Sequence, residues 1–214
     1  MKNYDIKNQF VLDILDKIKY NYIDKYHLPT LMKQCGKADL YYISDEYRDK
    51  LIAMGVEHKG SASRGLSYPI KPENLLVEQT DPLYWQYRLD WMNIDHGLKE
   101  YLGLASCALA QYYPPEGHIE WHNNADAPSH NLIFTWSETG DGWFKWYDLK
   151  KKENVVMQDV AGWTLKAGYF SSYEQPEKVL YHSAYTKCRR LTVSYTLGHD
   201  TEYWKDCIQV ISED

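Results

Sequence analysis

Hydrophobic residues in the first hundred positions recur every three to four residues, the spacing of helices with one buried face. A second helix is predicted from Ser44, a typical N-cap residue, to Gly55, which suits the left-handed position after a helix. A third helical region follows the N-cap candidate Asp81 and ends near Gly103, and residues 60–74 have the composition of a loop. The clearest helical series, close to the N-terminus, consists of Phe10, Val11, Ile14, Leu15, Ile18 and Tyr22.

The pattern changes after Gly103, where short segments rich in β-branched and aromatic residues alternate with turn residues. Short strands at regular spacing are typical of an antiparallel sandwich or barrel. We therefore predict an α+β fold in which a helical N-terminal half, residues 1–104, packs on one outer face of a β-structure formed by residues 105–214. The predicted strands are 105–113, 117–123, 131–137, 142–148, 153–158, 162–170, 179–183 and 189–197.

Composition excludes several classes of protein. The 214 residues are 44% hydrophobic and 25% charged, which suits a folded domain with a buried core. No run approaches the roughly 18 apolar residues of a membrane helix, and the first residues lack the apolar stretch of a signal peptide. A net charge of −6 argues against general nucleic-acid binding. Four scattered cysteines without a C-x-x-C pair are expected to be reduced thiols of a cytoplasmic protein.

Period-two alternation separates an apolar face from a polar face in several of these strands. A solvated face is usually filled with Lys, Glu and Thr. The presence of two histidines and a single arginine therefore favours a polar pocket inside the sandwich. A further histidine, His182, ends a later β-rich run. The polar sides of two strands consist of His118, Glu120 and His122, and of Arg190, Thr192 and Ser194.

Imidazoles from two separated strands, together with one oxygen donor, are the ligand set of non-haem Fe(II) oxygenases. In such a site three further metal positions stay open for a cosubstrate and for O₂. A structural zinc site would need four closed ligands, and the cysteines are too scattered to supply them. The residues therefore indicate an open site that suits Fe(II).

Residues 112–136 resemble the metal-binding region of the 2-oxoglutarate/Fe(II) dioxygenases, in particular the prolyl-4-hydroxylase-like branch. The sequence Tyr-Tyr-Pro-Pro-Glu-Gly here precedes His-Ile-Glu-Trp-His-Asn-Asn, where the family has a strand that ends in His-x-Asp. The run from His182 to Thr192 resembles the second half of the signature, a distal histidine followed by an arginine and a hydroxyl two residues on. The resemblance spans residues 105–197 and implies a double-stranded β-helix, a jelly-roll or cupin-like barrel of eight strands.

This resemblance implies that His122 and His182 are metal ligands, and that Arg190, with Thr192 on the same face, holds the distal carboxylate of 2-oxoglutarate. An arginine suits this role because it can bind a carboxylate through two charge-assisted hydrogen bonds. Tyr112 is a further candidate for a hydrogen bond to the cosubstrate. The implied activity is a dioxygenase that uses Fe(II), 2-oxoglutarate and O₂ and hydroxylates a peptidyl or small-molecule substrate.

The acidic ligand of the family falls on Asn124, so the third ligand remains open. Asn124 offers a neutral amide oxygen about 7 Å along the strand from His122. Asp126 would restore the negative charge, but in an extended chain it lies about 13 Å away and must be brought in by a turn. Glu120 is the third candidate, and a vacant position is the remaining alternative.

The lost carboxylate also supports a function of a different class. On this alternative, the chain is a catalytically degenerate cupin-like module that binds a metal or a small molecule without turnover. We further expect no nucleic-acid or membrane partner, and a monomer or a homodimer.

Overall fold

A computed structural model describes residues 1–25, 38–60, 66–67, 80–124 and 127–213. The helices are α1 (Gln9–Lys19), a π-helical turn (Tyr20–Lys25), a 3₁₀ helix (Leu40–Ile43), α2 (Asp45–Met54), α3 (Pro82–Leu102) and α4 (Thr201–Ser212). The short strands are β1 (Lys2–Tyr4) and β2 (Leu66–Ser67). The longer strands are β3 (Ser106–Tyr113), β4 (His118–His122), β5 (Ser129–Ser137), β6 (Gly142–Asp148), β7 (Glu153–Gln158), β8 (Gly162–Phe170), β9 (His182–Thr186) and β10 (Arg190–Thr196).

The strands form two antiparallel sheets. The larger sheet has the order β1-β8-β5-β10-β3-β2, and the smaller sheet has the order β4-β9-β6-β7. From β3 to β6 the chain alternates between the sheets, and after the β6–β7 hairpin it alternates again from β8 to β10. The prediction of a mixed fold with helices and antiparallel sheets is confirmed at this level. The strands β1 and β2 were not predicted, and β2 lies within residues 60–74, which we expected to be a loop.

Local side-chain chemistry explains where several helices begin. The side chains of Ser44 and Asp81 accept hydrogen bonds from the backbone N–H groups of Tyr47 and Leu83, which are otherwise unpaired at a helix N-terminus. Both N-caps were predicted. Asp200 caps α4 in the same way, and that helix was not predicted.

Helices cover both outer faces of the sandwich. On the larger sheet, Leu132, Leu191 and Val193 pack in one apolar core with residues of α1, α3 and α4. On the smaller sheet, Tyr47 and Leu51 of α2 pack against strand residues including Trp121. The expectation that the helical half covers a single outer face is therefore wrong, because α2 contributes apolar side chains to the opposite sheet. In the part of the chain that the structure describes, no helix is long and apolar enough to cross a membrane.

A third apolar cluster lies between the two sheets. It joins inward-facing residues of both sheets: Ile133, Phe144, Met157, Phe170 and Ala184. This cluster forms one wall of the space in which the predicted site residues meet.

Two glycines that follow helices allow a matched test of how α4 packs on α3. Gly55 and Gly103 have nearly the same left-handed conformation, with φ of 60° and 62°. A Cβ at Gly55 would contact nothing, whereas a Cβ at Gly103 would overlap the hydroxyl of Tyr203, which donates to the Leu102 carbonyl at 2.6 Å. We expect Gly55→Ala to cost about 1 kcal/mol through backbone strain.

Gly103→Ala should cost about 1 kcal/mol more, because Tyr203 must move and lose its hydrogen bond. Urea denaturation of the two variants measures the difference. Equal costs would mean that the contact between Gly103 and Tyr203 does not contribute to stability.

Candidate metal centre and cavity

The two histidines of the predicted metal site lie side by side on neighbouring strands. His122 is the last residue of β4, His182 is the first residue of β9, and the two are register partners in the antiparallel pair. Their ring centroids are 4.0 Å apart. Both side chains are buried and border a cavity between the sheets. The structure therefore brings together two imidazoles that are 60 residues apart in sequence.

A bulge in β4 determines which of its residues face the cavity. The register with β9 shifts between Ile119 and His122, and both of these residues line the cavity. Trp121 packs against Tyr47 on the outer face, and the carboxylate of Glu120 accepts a hydrogen bond from the Tyr47 hydroxyl. The prediction that one face carries every second residue is wrong for this strand, because two consecutive residues point outward. The carboxylate of Glu120, a candidate for the third ligand, is thus directed toward Tyr47 and does not line the cavity.

Hydrogen bonds fix the tautomer of both rings. Nδ1 of His122 donates to the Glu120 carbonyl at 2.7 Å, and Nδ1 of His182 donates to the Leu180 carbonyl at 2.9 Å. Burial lowers the pKa of His122 to about 4 and that of His182 well below its usual range. At neutral pH both rings are therefore uncharged, and Nε2 carries the lone pair. A ring whose Nδ1–H is held by a backbone carbonyl has the usual second-shell arrangement of a metal ligand.

A loop segment before the sandwich packs directly on His122. A Cβ at Gly60 would lie 2.6 Å from Cγ of His122, so only glycine allows the backbone to come this close. The segment is held by Asn123, whose side chain accepts from the backbone N–H of His58 and donates to the Val56 carbonyl. The ring of His122 is thus restricted by two contacts, the hydrogen bond to the Glu120 carbonyl and the close approach of the Gly60 backbone.

The cavity has a volume of about 590 Å³, which lies in the usual range of small-molecule pockets. Most of its wall is apolar, and Phe144 and Phe170 lie next to His182, with ring centroids 5.6 and 4.7 Å from the imidazole. Its polar wall comes mainly from the inner faces of β5 and β10. These residues are Ser129, Asn131, Arg190, Thr192, Ser194 and Thr196.

Arg190 lines the cavity and is 2% exposed. Its Nε donates to Asp159 at 2.9 Å, and its Nη1 donates to the Thr192 hydroxyl at 2.7 Å. Among the described residues, Nη2 has no hydrogen-bond partner. Nε and Nη1 are therefore engaged by protein groups, and Nη2 remains able to donate to an anion.

Asp159 connects Arg190 to a second buried cation, Lys166, whose Nζ lies 2.8 Å from the carboxylate. Burial raises the pKa of Asp159, but the charges of Arg190 and Lys166 outweigh this and hold it below its usual value. Burial lowers the pKa of Lys166, and Asp159 opposes that shift. A Cβ at position 142 would be 2.8 Å from Asp159, so Gly142 makes room for this cluster.

Tyr113, rather than Tyr112, is the tyrosine in the cavity. Tyr113 pairs with Arg190 across β3 and β10 and therefore shares its inner face, and the guanidinium carbon lies 5.5 Å from the tyrosine ring centroid. Tyr112 pairs with Leu191, belongs to the core under the helices and stacks on Tyr22. Tyr112, the predicted candidate for a hydrogen bond to the cosubstrate, therefore does not line the cavity, whereas the adjacent Tyr113 does.

The structure places Asn124, a candidate for the third ligand, at the cavity wall. Asn124 lines the cavity in a left-handed conformation, with φ of 53°, which asparagine tolerates better than most residues. Asp126 lies outside the described residues. Among the described residues, no three His, Cys, Asp or Glu side chains are close enough to hold a metal ion. The described donors thus fit the two-histidine part of an Fe(II) site, with a neutral amide beside it.

Sequence reasoning missed Tyr113 and Lys166 and gave Asp159 no role. Alternation places Tyr113 on the opposite face from Tyr112, but only strand pairing tells which face meets Arg190. No local motif marks Asp159 or Lys166, because Asp159 reaches Arg190 from the loop before β8, and Lys166 reaches Asp159 from β8 itself.

Comparisons with known proteins show weak similarity only. No protein-family model matches the chain, and no curated protein matches it. A prolyl hydroxylase from Trichoplax adhaerens, solved with a hypoxia inducible factor peptide, is 9% identical over 90% of this chain and 94% of its own, with a TM-score of 0.35. A prolyl-4-hydroxylase from Pseudomonas putida is 14% identical over 57% and 69%, with a TM-score of 0.33.

The cupin domain of Drosophila melanogaster CENP-C is 9% identical over 42% of this chain and 55% of its own, with a TM-score of 0.29. At these values the similarity carries no weight for fold or function. The functional assignment rests on the residues of the cavity.

Proposed function

We propose that this protein is an Fe(II)- and 2-oxoglutarate-dependent dioxygenase. The observation that carries the proposal is the pair of neutral histidines, His122 and His182, in the same cavity as a buried arginine. Two imidazoles suit a facial Fe(II) site, and Arg190 suits the distal carboxylate of a 2-oxo acid.

The strand order supports a double-stranded β-helix as the scaffold. Strands β3 to β10 supply four neighbours in each sheet, β8-β5-β10-β3 and β4-β9-β6-β7. Such a double sheet is the jelly-roll arrangement, and it places inward-facing residues of both sheets around one space. The helices on the outer faces leave that space to the cofactor and the substrate.

Each part of the cavity has a separate role in this proposal. His122 and His182 would hold the metal, with Asn124 or Asp126 as the third ligand. Fe(II) with 2-oxoglutarate and O₂ supplies the oxidation chemistry, in which the cosubstrate loses CO₂ and the substrate is hydroxylated. Arg190 and Thr192 would bind the distal carboxylate, and Phe144 would help to exclude water from the metal.

We extend the proposal to a small-molecule or peptidyl substrate and to a monomer or homodimer in the cytoplasm. The cavity volume of about 590 Å³ leaves space beyond the cosubstrate for part of a substrate. A net charge of −6 disfavours nucleic acid as a partner.

The proposal is tested by adding Fe(II) and 2-oxoglutarate to metal-free protein without oxygen. We expect the weak visible charge-transfer band of a chelated 2-oxo acid, and on admission of air the release of succinate. The Arg190→Ala variant should form the band only at higher 2-oxoglutarate concentration.

Two results would count against the proposal. If folded protein binds Fe(II) but forms no band with 2-oxoglutarate, the protein is a metal-binding module of the degenerate cupin-like class. If it binds no metal, the histidine pair has a structural role only.

Adjacent tyrosines provide a matched test of the cosubstrate position. Tyr113→Phe should weaken 2-oxoglutarate binding about 3- to 10-fold, because it removes one hydroxyl from the cavity wall beside Arg190. Tyr112→Phe should leave the affinity unchanged, since Tyr112 faces the helices. Titration of the charge-transfer band measures the 2-oxoglutarate affinity of both variants. If the two substitutions change this affinity equally, the cosubstrate does not bind beside Tyr113.

A further inference from the structure

Three charged residues next to the cavity carry an unbalanced charge. Asp159 accepts from Lys166 Nζ at 2.8 Å and from Arg190 Nε at 2.9 Å. The exposures of Lys166, Arg190 and Asp159 are 0%, 2% and 3%. Among the described residues, Asp159 is the only carboxylate within ion-pair distance of either cation. With Lys166 and Arg190 protonated and Asp159 ionised, two positive charges and one negative charge give a buried excess of +1.

A buried excess charge is costly unless another charge compensates it. Of the two cations, Arg190 lines the cavity, and Lys166 does not. Nη2 of Arg190 and the hydroxyl of Thr192 are the polar groups through which an anion in the cavity can contact the cluster. The chemistry of this end of the cavity therefore suits a single carboxylate.

We propose that Lys166 supplies the charge that makes this end of the cavity select a carboxylate, although it does not contact the ligand. The inference rests on the proposed function, in which Arg190 binds the distal carboxylate of a 2-oxo acid.

The physical reason is that Asp159 offsets the charge of Arg190. An Asp159–Arg190 pair alone is neutral, so an anion attracted by the guanidinium is repelled by the neighbouring carboxylate. Lys166 neutralises that carboxylate, so the guanidinium acts on the ligand with its full charge. Asp159 keeps a geometric role, since its bond to Nε orients the guanidinium and therefore Nη2 of Arg190.

The test compares two ligands in Mn(II)-loaded protein without oxygen, by calorimetry. 2-Oxoglutarate carries the distal carboxylate, and 2-oxopentanoate has a methyl group in its place. Wild-type protein should prefer 2-oxoglutarate. In Lys166→Met, 2-oxoglutarate should bind about tenfold more weakly, whereas 2-oxopentanoate should bind as in the wild type.

A double variant separates charge from damage to the fold. Lys166→Met with Asp159→Asn restores the excess of +1 and keeps an amide oxygen that can accept from Arg190 Nε. We expect its affinity for 2-oxoglutarate to return to within about threefold of the wild-type value. Loss of packing alone would not be repaired by a second substitution in the same buried cluster.

The outcomes distinguish this inference from the proposed function. If the wild type prefers 2-oxoglutarate and Lys166→Met keeps the same preference, the inference is wrong and the proposed function stands. If Lys166→Met weakens both ligands equally, or the double variant does not recover, Lys166 has a structural role only. If the wild type binds neither ligand, both proposals fail.

Discussion

Replacing His182 by alanine is expected to weaken Fe(II) binding by at least about 100-fold, more than the loss of a second-shell partner costs. The ring is buried, uncharged at neutral pH and held by the Leu180 carbonyl with Nε2 available. Among the residues that the structure describes, its removal leaves His122 as the one imidazole that lines the cavity. Because the ring lines a cavity, the fold should tolerate the loss. Anaerobic metal titration, together with thermal unfolding of the metal-free protein, measures the two effects separately.

His118 is the matched control for this experiment. It is a fully buried histidine at the start of β4, and its Nδ1 donates to the Glu116 carbonyl at 3.2 Å. It has the same hydrogen-bonding arrangement as His182 but does not line the cavity. His118→Gln should therefore leave metal affinity within about threefold of the wild-type value. If both variants lose metal equally, the metal is not held by the His122–His182 pair.

Replacing Asp159 by asparagine is expected to lower the free energy of unfolding by about 3–5 kcal/mol. The substitution preserves size but leaves Lys166 and Arg190 buried without a negative partner. Removing one member of a buried ion pair is costly because the remaining charge is no longer compensated. Urea denaturation at neutral pH measures the change.

An exposed ion pair provides the control. Arg189 and Glu138 are bonded to each other, with side-chain exposures of 38% and 35%. Glu138→Gln should cost less than about 1 kcal/mol, because water and salt already screen both charges. A similar small cost for Asp159→Asn would show that the Lys166–Asp159–Arg190 cluster is not charged as we describe it.

The variants Asp159→Asn and His182→Ala also separate effects on stability from effects on metal binding. Adding Lys166→Met to Asp159→Asn should restore the free energy of unfolding, because the double variant buries one cation instead of two. The metal affinity lost in His182→Ala should not be restored by any substitution in the Lys166–Asp159–Arg190 cluster, because we assign no metal ligand to that cluster. In the function that we propose, the site has a metal end and a carboxylate end, and the two ends should respond to different substitutions.

Local patterns in the sequence predicted the limits of several strands and the N-caps of two helices. Strand β6 (Gly142–Asp148) and strand β8 (Gly162–Phe170) have the predicted limits, because alternation and turn residues are properties of neighbouring positions. The N-caps Ser44 and Asp81 were predicted for the same reason, since a cap depends on the next three residues. The strand β9 begins three residues later than predicted, at His182.

Tertiary structure decided the features that depend on strand pairing. The bulge in β4 turns Glu120 away from the cavity, and the β3–β10 register places Tyr113 rather than Tyr112 opposite Arg190. A shift of one residue reverses the face of every side chain in a strand, and periodicity alone does not reveal it. The sequence alone pointed to His122, His182 and Arg190. The contacts of Asp159 with Arg190 and with Lys166 exist only because strands and loops that are apart in sequence converge in the fold.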